Sequence, residues 1–164
     1  MKLLTLIYKL RHKGVKDDDI PYYWKYSVWT VICKPIRKFF SAVIAPNIPF
    51  TSLRMAVYRL CGYNIGRGSF VGMKCYLDDM CYDLIEIGEN VTISYGVYFA
   101  CHGRKQGHNK IVIKDGAYIG MRASIIAPTD IEIGEKAIVG AHTLVNKSVP
   151  AGRTAVGCPC RILP

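Results

Sequence analysis

From Ile65 onward the chain repeats itself every six residues. The blocks read IGRGSF, VGMKCY and LDDMCY; then, past a four-residue interruption, IGENVT, ISYGVY and FACHGR; then, past a longer one, IKDGAY and IGMRAS. After Ile125 and Ile126 come APTDIE, IGEKAI, VGAHTL and VNKSVP. The first slot holds Ile65, Val71, Leu77, Ile87, Ile93, Phe99, Ile113, Ile119, Ala127, Ile133, Val139 and Val145. The second slot is Gly at 66, 72, 88, 120, 134 and 140, and the fifth is small or medium, as in Ser69, Cys75, Cys81, Ala117, Ala123 and Ala137. A β-sandwich does not keep so even a spacing. A six-residue beat predicts short extended stretches joined by bends, with one aliphatic per unit pointing inward and stacking on its equivalent in the next coil. The second-slot glycines are expected to supply the backbone freedom of each bend. The expected fold is mainly β, a single-stranded left-handed parallel β-helix behind a short, partly helical N-terminal segment.

Breaks in the beat mark places where chain leaves the coil. The longer interruption, CHGRKQGHNK from Cys101 to Lys110, is polar, basic and holds two of the four histidines. Loops on rigid scaffolds commonly carry sites. The extra pair Ile125-Ile126 is expected to bulge one coil.

Residues 1–47 differ. They are basic, aromatic and broken by Pro21, Pro35 and Pro46, and residues 1–50 carry nine Lys and Arg against three Asp. Trp24, Tyr22, Tyr23, Trp29, Phe39 and Phe40, with Lys25, Lys34, Arg37 and Lys38, suit either packing against the solenoid or peripheral contact with an anionic membrane. The net charge of +10 favours anionic partners; nucleic acid is not expected, because that needs aromatics interleaved in a basic groove. Residues 48–164 are expected to form the solenoid domain, opened by a helix over 51–61 that Thr51 or Ser52 can cap, with Leu53, Ala56, Val57 and Leu60 sharing a face.

Seven cysteines, an odd number, follow a start (MKLLTLIYKLRHKG) whose apolar part is too short for a secretory signal. Reduced thiols in a cytoplasm are expected rather than a disulfide framework. Cys75 and Cys81 in the small-residue slot read as packing, and Cys158-Pro-Cys160 has the spacing of neither a zinc knuckle nor a redox pair.

These blocks, the lead-in PFTSLRMAVYRLCGYNIGRG, the mid-coil loop and the closing VGAHTLVNKSVPAGRTAVGCPCRIL resemble the hexapeptide-repeat acyltransferases over residues 48–163. The resemblance is to the branch of galactoside, maltose and polysaccharide O-acetyltransferases. It implies an enzyme moving an acetyl group from acetyl-CoA to a hydroxyl, no metal, and a homotrimer with sites between neighbours. It also implies a loop histidine as general base: His102 first, His108 second. A neutral imidazole suits that task, since its reference pKa lies near 6.5. The positions matched for CoA are Gly120, Met121, Ala141, Asn146, Lys147 and Arg161, the two cations facing phosphates. Asp78 and Asp79 fall where relatives hold a carboxylate for the acceptor's hydroxyls; Asp83 is an alternative. His142, in a fourth slot, is expected on the surface, and His12 in the basic N-terminus.

Other readings stay open: a serine O-acetyltransferase-like enzyme; a metal enzyme like the γ-type carbonic anhydrases, using three histidines from adjoining subunits, two of them supplied by His102 and His108; a thiol nucleophile at Cys101; or a solenoid without catalysis.

Overall fold

The computed structural model describes residues 3–12, 14–16, 19, 20, 24, 28–102 and 108–163. Asp17, Asp18, Pro21–Tyr23, Lys25–Ser27 and the loop tip 103–107 lie outside them, and with them part of the expected aromatic cluster and of the His-bearing loop.

Contacts divide the chain into two compact units, Met1–Phe39 and Phe40–Pro164. The first holds helices α1 (Leu3–Arg11) and α2 (Val28–Lys38), the latter with Pro35 inside it. Along α2, Val28, Trp29, Val31, Ile32 and Ile36 are exposed. No helix among the described residues is long and apolar enough to cross a membrane.

A π-helical turn, Phe39–Ile44, crosses the boundary into the second unit, and a 3₁₀ turn, Ala45–Asn47, follows. Helix α3 follows over Thr51–Leu60. Its N-cap is Phe50, and neither Thr51 nor Ser52 caps it through a side chain. The fully buried side chains are not those of the face that Leu53, Ala56, Val57 and Leu60 share. Arg54, Met55 and Tyr58 point inward, whereas Leu53 is 53% and Leu60 87% exposed. The reason is hydrogen bonding. Arg54 donates from Nε to the Val71 carbonyl (2.7 Å) and from Nη1 to the Ile48 carbonyl (2.6 Å), and Tyr58 reaches the Cys75 carbonyl at 3.4 Å. Backbone carbonyls over the first coil need donors more than that coil needs another leucine.

Among the described residues, thirteen short strands then wind into a parallel β-helix of about four coils. Face A stacks β1 (Asn64–Ile65), β3 (Ile85–Ile87), β6 (Ile111–Ile113) and β9 (Ile131–Ile133). Face B stacks β2 (Phe70–Val71), β4 (Thr92–Ile93), β7 (Tyr118–Ile119), β10 (Ile138–Val139), β12 (Thr154–Val156) and β13 (Arg161–Ile162). Face C stacks β5 (Tyr98–Ala100), β8 (Ser124–Ile126) and β11 (Leu144–Val145). Every pairing between these strands is parallel except β12 with β13.

Apart from the block that starts at Ala127, the repeat slots land as expected. All twelve first-slot side chains are buried, and so are Ser69, Cys75, Cys81, Val91, Val97, Ala117, Ala123, Ala137 and Thr143 of the fifth. Burying each large aliphatic contributes about 1.5–3 kcal/mol. A second inward ladder, Ile85, Ile111 and Ile131, runs beside the first on face A and did not announce itself in the six-residue beat.

The bends correct one expectation. Left-handed backbone falls on the fourth slot: Lys74, Asn90, Arg122, Lys136 and His142 have φ of 51° to 59°, and Gly68, Gly96, Gly116 and Gly152 of 67° to 72°. The second-slot glycines have no such φ. They are needed for close approach: a Cβ on Gly66 would stand 2.3 Å from the Gly88 carbonyl oxygen, and one on Gly120 2.5 Å from the Ala141 nitrogen. Coils touch backbone to backbone there, and no side chain fits.

The coils are regular on two corners and irregular on the third. From face A to B, and from B to C, the inward residues stand six positions apart (Ile87 to Ile93 to Phe99, Ile113 to Ile119 to Ile125). The step from C back to A varies: Leu77 to Ile87, Phe99 to Ile113, Ile125 to Ile133, Val145 to Val149. Every interruption therefore stacks on one corner. Ile125 pairs in register with Phe99 and Val145. It is the true first-slot residue of its coil, and the expected bulge is absent; the two extra residues lie in the corner after β8.

Candidate active site

The irregular corner gathers the polar chemistry. Asp78 follows the inward Leu77 of the first coil, and His102 follows β5 in the second. Asp78 is 0% exposed, and its carboxylate is fully engaged. Oδ1 accepts the Met80 N–H at 3.1 Å; Oδ2 accepts the Cys101 N–H at 2.9 Å and faces His102 Nδ1 at 2.5 Å. An ionised carboxylate only accepts hydrogen bonds, so the imidazole must carry its proton on Nδ1. That leaves Nε2 with a free lone pair on a side chain 38% exposed. A buried anion thus fixes the tautomer and ring orientation of a solvent-facing imidazole.

The loop is pinched at its base. His102 and His108 form an antiparallel bridge, and the Asn109 N–H bonds the Cys101 carbonyl at 2.7 Å. Asn109 Nδ2 also bonds the Ala127 carbonyl at 2.8 Å, tying the loop to the next coil. His108 is exposed. The remaining candidates are placed as follows. Asp79 is 7% exposed and accepts the Tyr76 hydroxyl at 2.6 Å; the Tyr76 ring stacks on Tyr98 at 4.8 Å. Asp83 lies in a 3₁₀ turn, Tyr82–Leu84, along the same corner. Both expected acceptor carboxylates, Asp78 and Asp79, are turned into the protein.

Cys101 is no nucleophile. It is fully buried, and burial first, then the Asp78 charge, push its thiol well above the ordinary cysteine range. Among the described residues of this one chain, the cluster of metal-capable donors is Asp78, Cys81 and His102.

The CoA-matched residues lie on two corners and on strand β13. Met121 and Ala141 are exposed and stack on successive coils where face B turns to C, with Gly120 buried beneath. Asn146 and Lys147 are exposed just after β11, on the irregular corner two coils beyond His102. Arg161 is exposed on β13, paired with Val156. His142 is exposed at a left-handed turn, as expected for its slot, and His12, also exposed, closes α1 beside Tyr8.

The sequence did not reveal that Asp78 serves His102. The signal lay in the coil length: Asp78 stands one residue past a face C inward position, and His102 three past the next, so both enter the same corner.

No protein-family model matches the chain. It is 29% identical to a putative acetyltransferase, YvoF, of Bacillus subtilis (strain 168), over 90% of each chain. It is 40% identical over 99 residues to the bifunctional protein GlmU of Rubrobacter xylanophilus, covering 60% of this chain and 19% of that one. It is 32% identical to the serine acetyltransferase of Mycobacterium tuberculosis over 63% of this chain and 46% of the relative. The chain thus spans less than half the length of the last two. Among solved structures, a hexapeptide-repeat acetyltransferase of Vibrio cholerae superposes with a TM-score of 0.69 at 21% identity, covering 84% of this chain and 93% of the other; a structure of that protein with acetyl-CoA is also known. A maltose O-acetyltransferase of Clostridium difficile 630 gives 0.61 at 26% identity, over 81% and 83%. The solenoid is therefore the left-handed parallel β-helix of such acetyltransferases.

Proposed function

We propose that this chain is an acetyl-CoA-dependent O-acetyltransferase that uses His102 as general base on the hydroxyl of a sugar or polysaccharide-type acceptor. The observation carrying it is the Asp78–His102 pair on the corner where coil length varies. Full-length likeness to the putative acetyltransferase of Bacillus subtilis and the fold shared with a protein solved with acetyl-CoA support the donor.

In this mechanism Nε2 of His102 takes the acceptor's hydroxyl proton as the oxygen bonds to the thioester carbonyl carbon. The tetrahedral intermediate collapses with cleavage of the C–S bond, and the imidazolium returns the proton to the departing CoA thiolate. Asp78 stabilises the imidazolium and holds the ring, so it is a positioning residue rather than an acceptor ligand. Asp79 faces inward onto the Tyr76 hydroxyl, so Asp83, on the same corner, is the carboxylate left for the substrate's hydroxyls. Lys147 and Arg161 offer cations to the phosphates of CoA, and Met121, Ala141 and Asn146 the surface beside its pantetheine arm. His108, without a buried anion behind it in this geometry, is assigned to acceptor or donor contact.

A homotrimer is the proposed assembly. Exposed Tyr95, Tyr118, Met121 and Ile138 leave apolar surface on the coils for a neighbouring copy to cover; light scattering on the eluting protein tests this. The exposed apolar residues of α2 beside Lys34, Arg37 and Lys38 favour contact of the N-terminal unit with anionic lipid, which vesicle sedimentation tests.

Serine is the second acceptor to weigh, given the serine acetyltransferase relative. A thiol-release screen with acetyl-CoA against sugars, sugar nucleotides, glycans and serine decides. Turnover confined to serine overturns the sugar reading; no turnover with any acceptor, together with no binding of CoA at millimolar concentration, overturns the enzyme.

A further inference from the structure

The general base shares its corner with a thiol. Cys81 occupies the fifth slot of its coil and is 1% exposed, yet its Sγ, a carboxylate oxygen of Asp78 and a ring nitrogen of His102 all lie within 4.8 Å of one another. Thiolate, imidazole and carboxylate are the donors that hold zinc, at about 2.0–2.3 Å. Donors on one tetrahedral zinc stand about 3.3–3.8 Å apart at those bond lengths, so the cluster needs shifts of about an ångström, chiefly a widening of the Asp78–His102 contact. The half-exposed imidazole gives the ion a way in, and water can fill the fourth position.

From this cluster we infer that Asp78, Cys81 and His102 form an inhibitory site for zinc or a similar divalent transition metal. The inference rests on the reading of His102 as base, and supplies a regulation of that same site. Its chemistry follows from the tautomer. The metal occupies Nδ1, so the neutral ring must carry its proton on Nε2, and the lone pair that would accept the substrate's proton is gone. Binding also displaces the Cys81 thiol proton to solvent, leaving a thiolate on the ion. No electron is transferred, and chelation reverses the step.

Cys81→Ala separates this from catalysis. Alanine already fills the same slot at 117, 123 and 137, all buried, so the coil accepts it. Titration of the full chain with Co²⁺ is expected to give a thiolate-to-cobalt charge-transfer band, lost in Cys81→Ala and weakened in His102→Ala. A Cys158→Ser control, which removes an exposed thiol, keeps it. With an acceptor in hand, Zn²⁺ inhibits the parent enzyme, and Cys81→Ala keeps its basal rate while needing about tenfold or more zinc for the same inhibition, the order set by losing one supporting group of a zinc site. Absence of the band, a band unchanged in Cys81→Ala, or equal zinc sensitivity of the two enzymes overturns the proposal. If no acceptor is ever turned over, a Cys81-dependent band still supports the metal site while the acetyltransferase reading fails.

Discussion

Oδ2 of Asp78 lies 2.5 Å from Nδ1 of His102 and 2.9 Å from the backbone nitrogen of Cys101, so one buried oxygen serves consecutive residues of the next coil. Asp78→Asn retains the shape but gives up one acceptor oxygen. Its NH₂ must face either the Met80 N–H or the donors at Cys101 and His102, and a buried donor is left without a partner. We expect a stability loss of about 1–3 kcal/mol and a fall in kcat of about 10²–10⁴, with KM for acetyl-CoA little changed. Because Asp78 acts through His102, adding Asp78→Asn to His102→Ala is expected to change kcat by less than about threefold, the non-additivity of groups that work as a unit. Denaturant titrations and steady-state kinetics of the two single variants and the double one check this; independent, multiplying losses in kcat would show a structural role only.

For the base itself, His102→Ala is expected to lower acetyl transfer by about 10²–10⁴ with CoA affinity nearly kept. His108→Ala is expected to act mainly on KM. Activity of His102→Ala within about threefold of the parent, well under the usual worth of a general base, would reject the assignment.

Much of this architecture is legible in the residues because a period of six has few physical solutions. Ile65, Ile87, Ile113 and Ile133 could be aligned by counting, and they stack as counted. Counting failed where the chain was released from that period. Taking Ile125-Ile126 as the excess puts Ala127 in the first slot, whereas Ile125 holds that slot and the corner after β8 takes up the extra residues. Ile85, Ile111 and Ile131 align only after the register is known. In the site, His102 stood out by its place at the loop base. Asp78 was visible as a carboxylate near the right corner, but its direction was not, since burial against a backbone N–H one coil away has no mark in local sequence. The glycines misled for a similar reason: the contact that demands Gly66 is with Gly88, twenty-two positions on.

That distinction between two kinds of glycine is testable. Gly66→Ala places a methyl 2.3 Å from the Gly88 carbonyl oxygen, against the Gly88–Glu89 backbone rather than a flexible side chain that could yield. Forced separation of two coils is expected to cost about 1–3 kcal/mol or more. Gly152 has φ +67° and open space around its Cβ position. Asn90 occupies the corresponding slot with φ 53°, so Gly152→Asn is expected to cost under about 1 kcal/mol. Thermal melts of the two variants should differ by several degrees in that order, and the reverse order would return the second slot to a role in the bends.

Alkaline pH should unfold the solenoid from the end covered by α3. Tyr58 and Tyr63 are both buried there, and burial is the leading cause that pushes their phenols far above the ordinary tyrosine range. Burial likewise raises the thiols of Cys75 and Cys101. All four groups are neutral when protonated, so the folded chain holds these protons more tightly than the unfolded one. The stability they confer is complete below the unfolded values and is lost as pH rises beyond them, from about 8.5 for the thiols and about 10 for the phenols. Each contributes a slope of up to about 1.4 kcal/mol per pH unit above its own threshold. Denaturation midpoints should therefore be set by other groups below about pH 8 and fall increasingly steeply above about pH 10. Tyr63→Phe, which keeps the ring at Tyr58 and gives up the bond to the Leu77 carbonyl at 3.0 Å, should lower stability at neutral pH yet flatten the alkaline fall. Phenolate absorbance of the folded protein provides the check: Tyr58 and Tyr63 should ionise only together with the loss of β-structure in circular dichroism. Their ionisation near pH 10 in an intact fold would show that α3 does not seal the first coil from water.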